Sequence, residues 1–86
     1  MVNKVLKLGA EWCAPCRALS EMLKQVTDVP IEELDVDENE EICEKYKIRN
    51  IPVLLFLNEK DEELGRTVGN ISLEAFYNKI KELNEK

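Results

Sequence analysis

Two cysteines separated by two residues carry the clearest chemistry in this sequence. Cys13 and Cys16 enclose Ala14 and Pro15 and follow Trp12, where a strand pattern gives way to a helix pattern. Thiols at this spacing lie within disulfide reach, so the pair can alternate between a dithiol and a disulfide as a two-electron switch. The motif therefore predicts thiol–disulfide exchange.

The same cysteine spacing also occurs in zinc, haem and iron–sulfur sites. The sequence contains no histidine, which argues against haem attachment and most mixed zinc sites. Cys43 is the one further cysteine, so a tetrahedral zinc site would also need a carboxylate. An iron–sulfur cluster bridging two copies, and a pair with no redox role, remain open alternatives. We predict a site with no metal and no bound cofactor.

Helical periodicity after the motif gives the two thiols different surroundings. An apolar arc consists of Cys16, Leu19, Met22, Leu23 and Val26, and a polar arc lies opposite, with Arg17, Ser20, Glu21 and Lys24. Cys13 lies at the helix start, where free amides and the helix dipole favour a thiolate, and Pro15 is tolerated in the first turn. We therefore predict an exposed, nucleophilic Cys13 and a sheltered Cys16 that resolves the mixed disulfide.

Length and charge indicate a small carrier protein. The 86 residues suffice for one modest core, so we predict a single domain over residues 1–86 and a monomer. A net charge of −6 argues against nucleic acid as a partner. Lys4 and Lys7 interrupt the first apolar stretch, which predicts neither a signal peptide nor a membrane span. An odd number of cysteines favours the reducing cytoplasm.

The hydrophobic pattern predicts an α/β fold with the element order β-α-β-α-β-β-α. Strands are predicted at 2–8, 31–36, 53–57 and 64–68, and helices at 14–27, 39–47 and from Ser72 onward. The run 53–57 is continuously apolar, as in a central buried strand. Residues 58–63 form the predicted hairpin turn, and Ser72 is the predicted cap of the last helix.

Three segments together resemble the thioredoxin family. They are AEWCAPC at 10–16, KYKIRNIP at 45–52 and VG at 68–69. The resemblance spans nearly the whole chain and implies a minimal thioredoxin fold without the first strand and helix of longer members. It also implies a four-stranded mixed sheet in the order second, first, third, fourth strand, flanked by helices on both faces.

The resemblance implies a substrate groove beside the dithiol. Its residues would be Trp12, Ala14, Pro15, Ile51, Pro52 and Gly69, with a cis peptide bond between Ile51 and Pro52. Three simpler interpretations remain open. Trp12 could be ordinary core packing, Pro52 could begin a strand in the trans form, and Gly69 could supply only a turn with positive φ.

The main departure from the family lies behind the motif. Thioredoxins usually carry a buried aspartate in the strand before the dithiol and a lysine on the neighbouring strand, whereas the aligned positions here are Lys7 and Glu33. One interpretation is an ion pair with its ends exchanged, in which Glu33 relays the proton that Cys16 loses. The other is two separate solvated charges.

The predicted function is reduction of protein disulfides through the Cys13–Cys16 pair. The substrates would be disulfide-containing proteins, and the electron donor would be a thioredoxin-reductase-like or glutathione-linked system. The alternative is an interaction module that docks a partner through the surface around Trp12 and Pro52 and whose redox activity is incidental. Cys43 is interpreted as a structural thiol, with a regulatory role requiring exposure.

Overall fold

The chain folds into a four-stranded sheet with helices on both faces in a computed structural model, in which residues 1–85 are described. The strands are β1 (Lys4–Gly9), β2 (Ile31–Asp35), β3 (Val53–Leu57) and β4 (Glu63–Val68). The helices are α1 (Ala14–Leu23), α2 (Glu40–Lys45) and α3 (Leu73–Asn84), and a single 3₁₀ turn spans Val36–Glu38. The predicted element order is confirmed. Within the described residues, no helix is both long enough and apolar enough to cross a membrane.

The sheet has the strand order β2-β1-β3-β4, as the family resemblance implied. β1 pairs in parallel with β2, and β3 pairs antiparallel with both β1 and β4. In the parallel pair, Lys7 stands directly opposite Glu33. This register decides which side chains meet behind the dithiol.

Alternation of side chains along β1 and β3 builds two apolar clusters, one on each face of the sheet. The first packs the sheet against α1 and α3 and consists of Val5, Leu19, Leu23, Leu54, Phe56, Phe76 and Leu83. The second lies on the side of α2 and consists of Leu6, Leu8, Tyr46, Val53, Leu55 and Leu57. Because β3 contributes to both clusters, all five of its residues are buried. This explains its unbroken apolar sequence.

Local signals set most of the element boundaries. The Ser72 hydroxyl accepts a hydrogen bond from the Ala75 backbone N–H at 3.0 Å, so the predicted cap of α3 is confirmed. The predicted helix over 14–27 is too long, because α1 ends at Leu23. Val26 then closes a tighter turn, and β-branched residues ahead of a proline disfavour further helix. α2 is also shorter than predicted, since Lys47 adopts a φ of 55° that ends the helix.

Candidate active site

The two cysteines of the motif lie where β1 leads into α1 and are joined as a disulfide, with their Cα atoms 5.2 Å apart. Cys13 is the N-cap residue of α1, and its sulfur accepts a hydrogen bond from the Cys16 backbone N–H at 3.2 Å. Pro15 occupies the first turn, where the amide it lacks would have no helical acceptor. The Cys13 sulfur therefore faces free amides at the positive end of the helix dipole.

The two sulfurs differ in exposure, although less than predicted. Cys13 is 7% exposed and Cys16 is 0% exposed. Both belong to a small cluster with Ala10, and Val36 and Ile51 pack against it. The prediction of an exposed Cys13 is therefore wrong in degree, because this packing covers most of the residue. The predicted order is retained, since Cys16 is the more deeply buried of the two.

The loop before β3 and the turn after β4 are joined beside the dithiol. The Ile51–Pro52 peptide bond is cis, as the resemblance implied, and Pro52 is fully buried. The Gly69 N–H donates to the Pro52 carbonyl at 2.8 Å. Gly69 has a φ of 86°, a conformation that suits glycine, so it does supply a turn with positive φ. The same residue also connects β4 to the Pro52 loop.

Trp12 lies on the surface, with 70% of its area exposed, so the interpretation as core packing is wrong. Ala14 and Pro15, which follow it in the motif, are exposed as well. Trp12 borders a groove of about 400 Å³ together with Ile51 and Cys43. An apolar surface therefore adjoins the dithiol on the side of α2.

A buried charge lies behind the dithiol. The Lys7 side chain is 8% exposed, and its Nζ lies 3.2 Å from Glu33 Oε1. Lys7 Nζ also donates to Ser20 Oγ at 2.8 Å, and the Ser20 hydroxyl donates in turn to the same Glu33 oxygen. The interpretation of Lys7 and Glu33 as separate solvated charges is therefore wrong, because they form an ion pair that Ser20 bridges.

The surroundings of Glu33 favour its ionised form. Burial raises the pKa of Glu33, but hydrogen bonds from Ser20 and Lys7 and the charge of Lys7 outweigh it, so the pKa lies below its ordinary value of 4.5. Because folding lowers the pKa of Glu33, its ionised form stabilises the fold at pH values above the pKa that the group has in the unfolded chain. That contribution is lost as the pH falls through the folded pKa.

Replacing Glu33 with glutamine is expected to lower the free energy of unfolding at neutral pH by at most about 1 kcal/mol. The effect is small because the Glu33 side chain is 52% exposed and the amide oxygen still accepts hydrogen bonds. The difference should vanish as the pH falls below 4.5. Urea unfolding at several pH values measures it, with Glu32→Gln on the same strand as the control. A difference of equal size in acid would contradict the ion pair as its source.

Two polar residues of this region were not predicted from the sequence. Helical periodicity assigns Ser20 to the solvent side, yet it is half-buried and bridges the ion pair. Ser20 follows Cys16 by four residues, and this spacing places both residues on the same side of α1, so it could have indicated the contact. Asp37, which accepts the Trp12 indole N–H at 3.3 Å, has no local signal because it comes from the 3₁₀ turn after β2.

Cys43 is a free, half-buried cysteine in α2. Its thiol lies 3.9 Å from the Val36 carbonyl oxygen. Burial raises the pKa of the Cys43 thiol, and the negative charges of Asp37 and Glu40 raise it further. A thiol in such surroundings is protonated at neutral pH and is a weak nucleophile, in agreement with a structural role.

A disulfide at the junction of a strand and a helix in this mixed sheet defines a class of protein, the thiol–disulfide oxidoreductases. The thioredoxin family model matches residues 2–82, and the chain belongs to the thioredoxin family. It is 39% identical over 79 residues to a thioredoxin of Rickettsia bellii (strain RML369-C), covering 83% of this chain and 75% of that protein.

Two further relatives agree with this assignment. An SPbeta prophage-derived thioredoxin-like protein of Bacillus subtilis (strain 168) is 32% identical over 66 residues, covering 77% of this chain and 81% of the relative. The crystal structure of a reduced thioredoxin pre-protein from Schistosoma mansoni has a TM-score of 0.80 at 30% identity, over 94% of this chain and 80% of that one. The protein is a thiol–disulfide oxidoreductase.

Proposed function

We propose that the protein reduces disulfide bonds in other proteins, with Cys13 as the nucleophile and Cys16 as the resolving thiol. The observation that supports these roles is the asymmetry of the pair. Cys13 is the cap of α1 and retains some exposure, whereas Cys16 has none. A thiolate is favoured at Cys13 by the helix start, and a buried Cys16 is suited to attack within the same molecule.

The reaction consists of two exchanges. The Cys13 thiolate attacks one sulfur of the target disulfide, forms a mixed disulfide, and releases the other target sulfur as a thiolate. Cys16 then attacks the Cys13 sulfur, the Cys13–Cys16 bond forms, and the second target sulfur leaves with its electron pair. The target gains two electrons and two protons, and the protein becomes oxidised.

The proposed binding surface for targets surrounds Cys13. It consists of Trp12, Ala14, Pro15, Ile51, Pro52 and Gly69. The exposed Trp12 and the half-buried Ile51 offer apolar area beside the nucleophile, where an aromatic ring can contact a peptide and shield the thiolate. By family analogy, an extended target segment lies along the backbone at Ile51.

Regeneration of the dithiol requires an external reductant. We assign this role to a thioredoxin-reductase-like or glutathione-linked donor, which surface complementarity would select. The proposed protein is a monomeric single domain over residues 1–86. Its proposed location is the cytoplasm, since three cysteines leave one unpaired thiol that an oxidising compartment would not protect.

Reduction of insulin disulfides driven by dithiothreitol tests this function. The wild type is expected to accelerate the reaction, and Cys13→Ser is expected to lose all acceleration, because a serine hydroxyl is not ionised at neutral pH and forms no disulfide. Cys43→Ser is the matched control and should retain wild-type turnover, because its thiol is protonated and lies outside the pair. Turnover that survives Cys13→Ser would contradict the assigned nucleophile.

A second candidate function is that of an interaction module. The exposed Trp12 beside an apolar groove favours it, since such a surface can dock a partner without any exchange of electrons. In that case the wild type would show no acceleration of insulin reduction. Partner binding would also survive replacement of both Cys13 and Cys16 by serine.

A further inference from the structure

Lys7 is a charged residue placed at an interior position of the sheet. Along β1, side chains alternate between the two faces, so Lys7 shares with Val5 the face that packs against α1. Among residues 1–85, Lys7 is the only charged residue that is buried. Burial of a charge costs free energy unless it is paired, so a residue in this position needs specific partners.

The partners of Lys7 hold its ammonium group in one place. Ser20 and Glu33 accept from Nζ at 2.8 Å and 3.2 Å, and the Ser20 hydroxyl bonds to the same Glu33 oxygen. The three groups therefore form a closed triangle between β1, β2 and α1. An ammonium has three N–H donors, and these two contacts leave one of them for another acceptor.

Gly9 lets this ammonium and the dithiol approach the same point of β1. A Cβ atom built on Gly9 would lie 3.0 Å from Cys16 Sγ and 3.1 Å from Lys7 Nζ. The sulfur and the ammonium therefore both pack against Gly9, at a position where a Cβ atom would not fit without a shift of its neighbours. No side chain of residue 9 separates the positive charge of Lys7 from the Cys16 sulfur.

Other charged groups near this point come from each surrounding element. The groove beside the triangle is about 340 Å³ in volume, and its charged lining residues other than the ion pair are Glu11, Arg17 and Asp35. Lys24 of the turn after α1 adds a further positive charge near Glu33. These groups face solvent, where their effects on Cys16 are screened, whereas Lys7 is buried.

We propose that Lys7 promotes the resolving step by stabilising the Cys16 thiolate, which packs together with the Lys7 ammonium against Gly9, with Ser20 and Glu33 as positioning residues. This inference rests on the proposed function. Cys16 loses its proton to solvent, and its thiolate then displaces the target sulfur from Cys13. Because Glu33 Oε1 is bonded to both Lys7 and Ser20, the role proposed for Glu33 is to anchor Lys7 instead of relaying the proton, and its lowered pKa agrees with this role.

Stopped-flow reaction with dithionitrobenzoate separates the two chemical steps. Reduced protein should release one nitrothiolate when Cys13 attacks and a second one when Cys16 resolves the mixed disulfide. The experiment uses a Cys43→Ser background, so that the third thiol does not consume reagent. Lys7→Met removes the charge with little change in volume. Lys4→Met is the matched control, since Lys4 lies on the same strand and pairs with Asp61 instead.

Lys7→Met is expected to slow the second release by about tenfold near neutral pH and to leave the first release within about twofold, because a nearby cation favours a thiolate. The midpoint of the pH profile of the second step should move upward. At high pH the rates of variant and wild type should converge, because Cys16 is then ionised in both. Lys4→Met should match the wild type at every pH.

Two results would overturn the proposal. One is an unchanged pH profile of the second step in Lys7→Met, and the other is equal slowing at every pH, which indicates damaged packing instead of lost charge. If Lys7→Met does not fold, Ser20→Ala provides the same test, with a smaller shift of the profile in the same direction. Failure of the proposed function can be told apart from failure of this proposal, because in the first case the wild-type protein would show no turnover with insulin.

Discussion

Replacement of Cys16 by serine is expected to trap target proteins on Cys13 as stable mixed disulfides. The first exchange needs only the Cys13 thiolate, which sits at the start of α1 and is favoured there by free amides. The second exchange needs a thiol within disulfide reach, and Cys16 is the residue at that distance, with a Cα separation of 5.2 Å. Without Cys16, release of the target protein from Cys13 depends on slow attack by an external thiol.

Intact-mass measurement after exposure to oxidised insulin, in the absence of small thiols, tests this prediction. Cys16→Ser on a Cys43→Ser background should shift to a mass that includes one whole insulin molecule, because one exchange leaves the two insulin chains joined by their other disulfide, and dithiothreitol should reverse the shift. The same protein with Cys13→Ser added is the matched control and should show no adduct. Equal adduct formation by the control would contradict Cys13 as the attacking residue, and an absent adduct in Cys16→Ser would contradict the two-step order.

Features with local causes were predictable from the sequence. The strand β3 follows from a continuous apolar run, and the start of α3 follows from a serine whose hydroxyl replaces a missing helical acceptor. The position of Cys13 as the cap of α1 likewise follows from the proline two residues later. In each case the relevant partners lie within a few residues along the chain.

The cis bond before Pro52, in contrast, could not be predicted from the residues near it. Local physics favours trans for most bonds before proline, so the prediction of a cis bond rests almost entirely on the resemblance to thioredoxins. The structure has the cis form, and the Gly69 N–H bonds to the Pro52 carbonyl. That contact joins segments separated by strands β3 and β4, which no pattern near Pro52 reveals.

The ion pair behind the dithiol marks the limit of prediction from the sequence. Lys7 and Glu33 are neighbours only because β1 and β2 are adjacent and in parallel register, a property of the whole sheet. Ser20 joins them only because α1 packs on that side of β1. A helical wheel assigns polar residues to solvent, and it fails where the protein buries a charge and needs a polar partner for it.

The reversed polarity of this pair alters what the buried group can do. A buried carboxylate could accept a proton from a thiol, whereas a buried ammonium can only make the thiolate more stable. In this chain the charge that packs against Gly9 beside Cys16 is Lys7, and the carboxylate of Glu33 lies at the more exposed end of the pair. In the proposed mechanism the proton of Cys16 goes to solvent, and Lys7 contributes electrostatic stabilisation to the resolving step.

Phe76→Ala is expected to destabilise the fold by about 3 to 5 kcal/mol, a large part of the roughly 5 to 10 kcal/mol typical of a domain of this size. Phe76 is 0% exposed, and its ring centroid lies 5.7 Å from that of Phe56 across the interface between α3 and the sheet. Truncation to alanine removes buried apolar area and leaves a cavity that helix and sheet cannot close without breaking other contacts.

Urea unfolding in the presence of dithiothreitol measures this loss on the reduced protein. Tyr77→Phe is the matched control, because it keeps the adjacent ring and removes only an exposed hydrogen bond of 2.8 Å to Asp28, so it should leave the stability close to that of the wild type. A loss below about 1.5 kcal/mol for Phe76→Ala would contradict the packing of α3 described above, since full burial of a phenylalanine predicts more. A loss of the expected size would also lower insulin turnover on warming, because the dithiol depends on α1, which shares this core through Leu19 and Leu23.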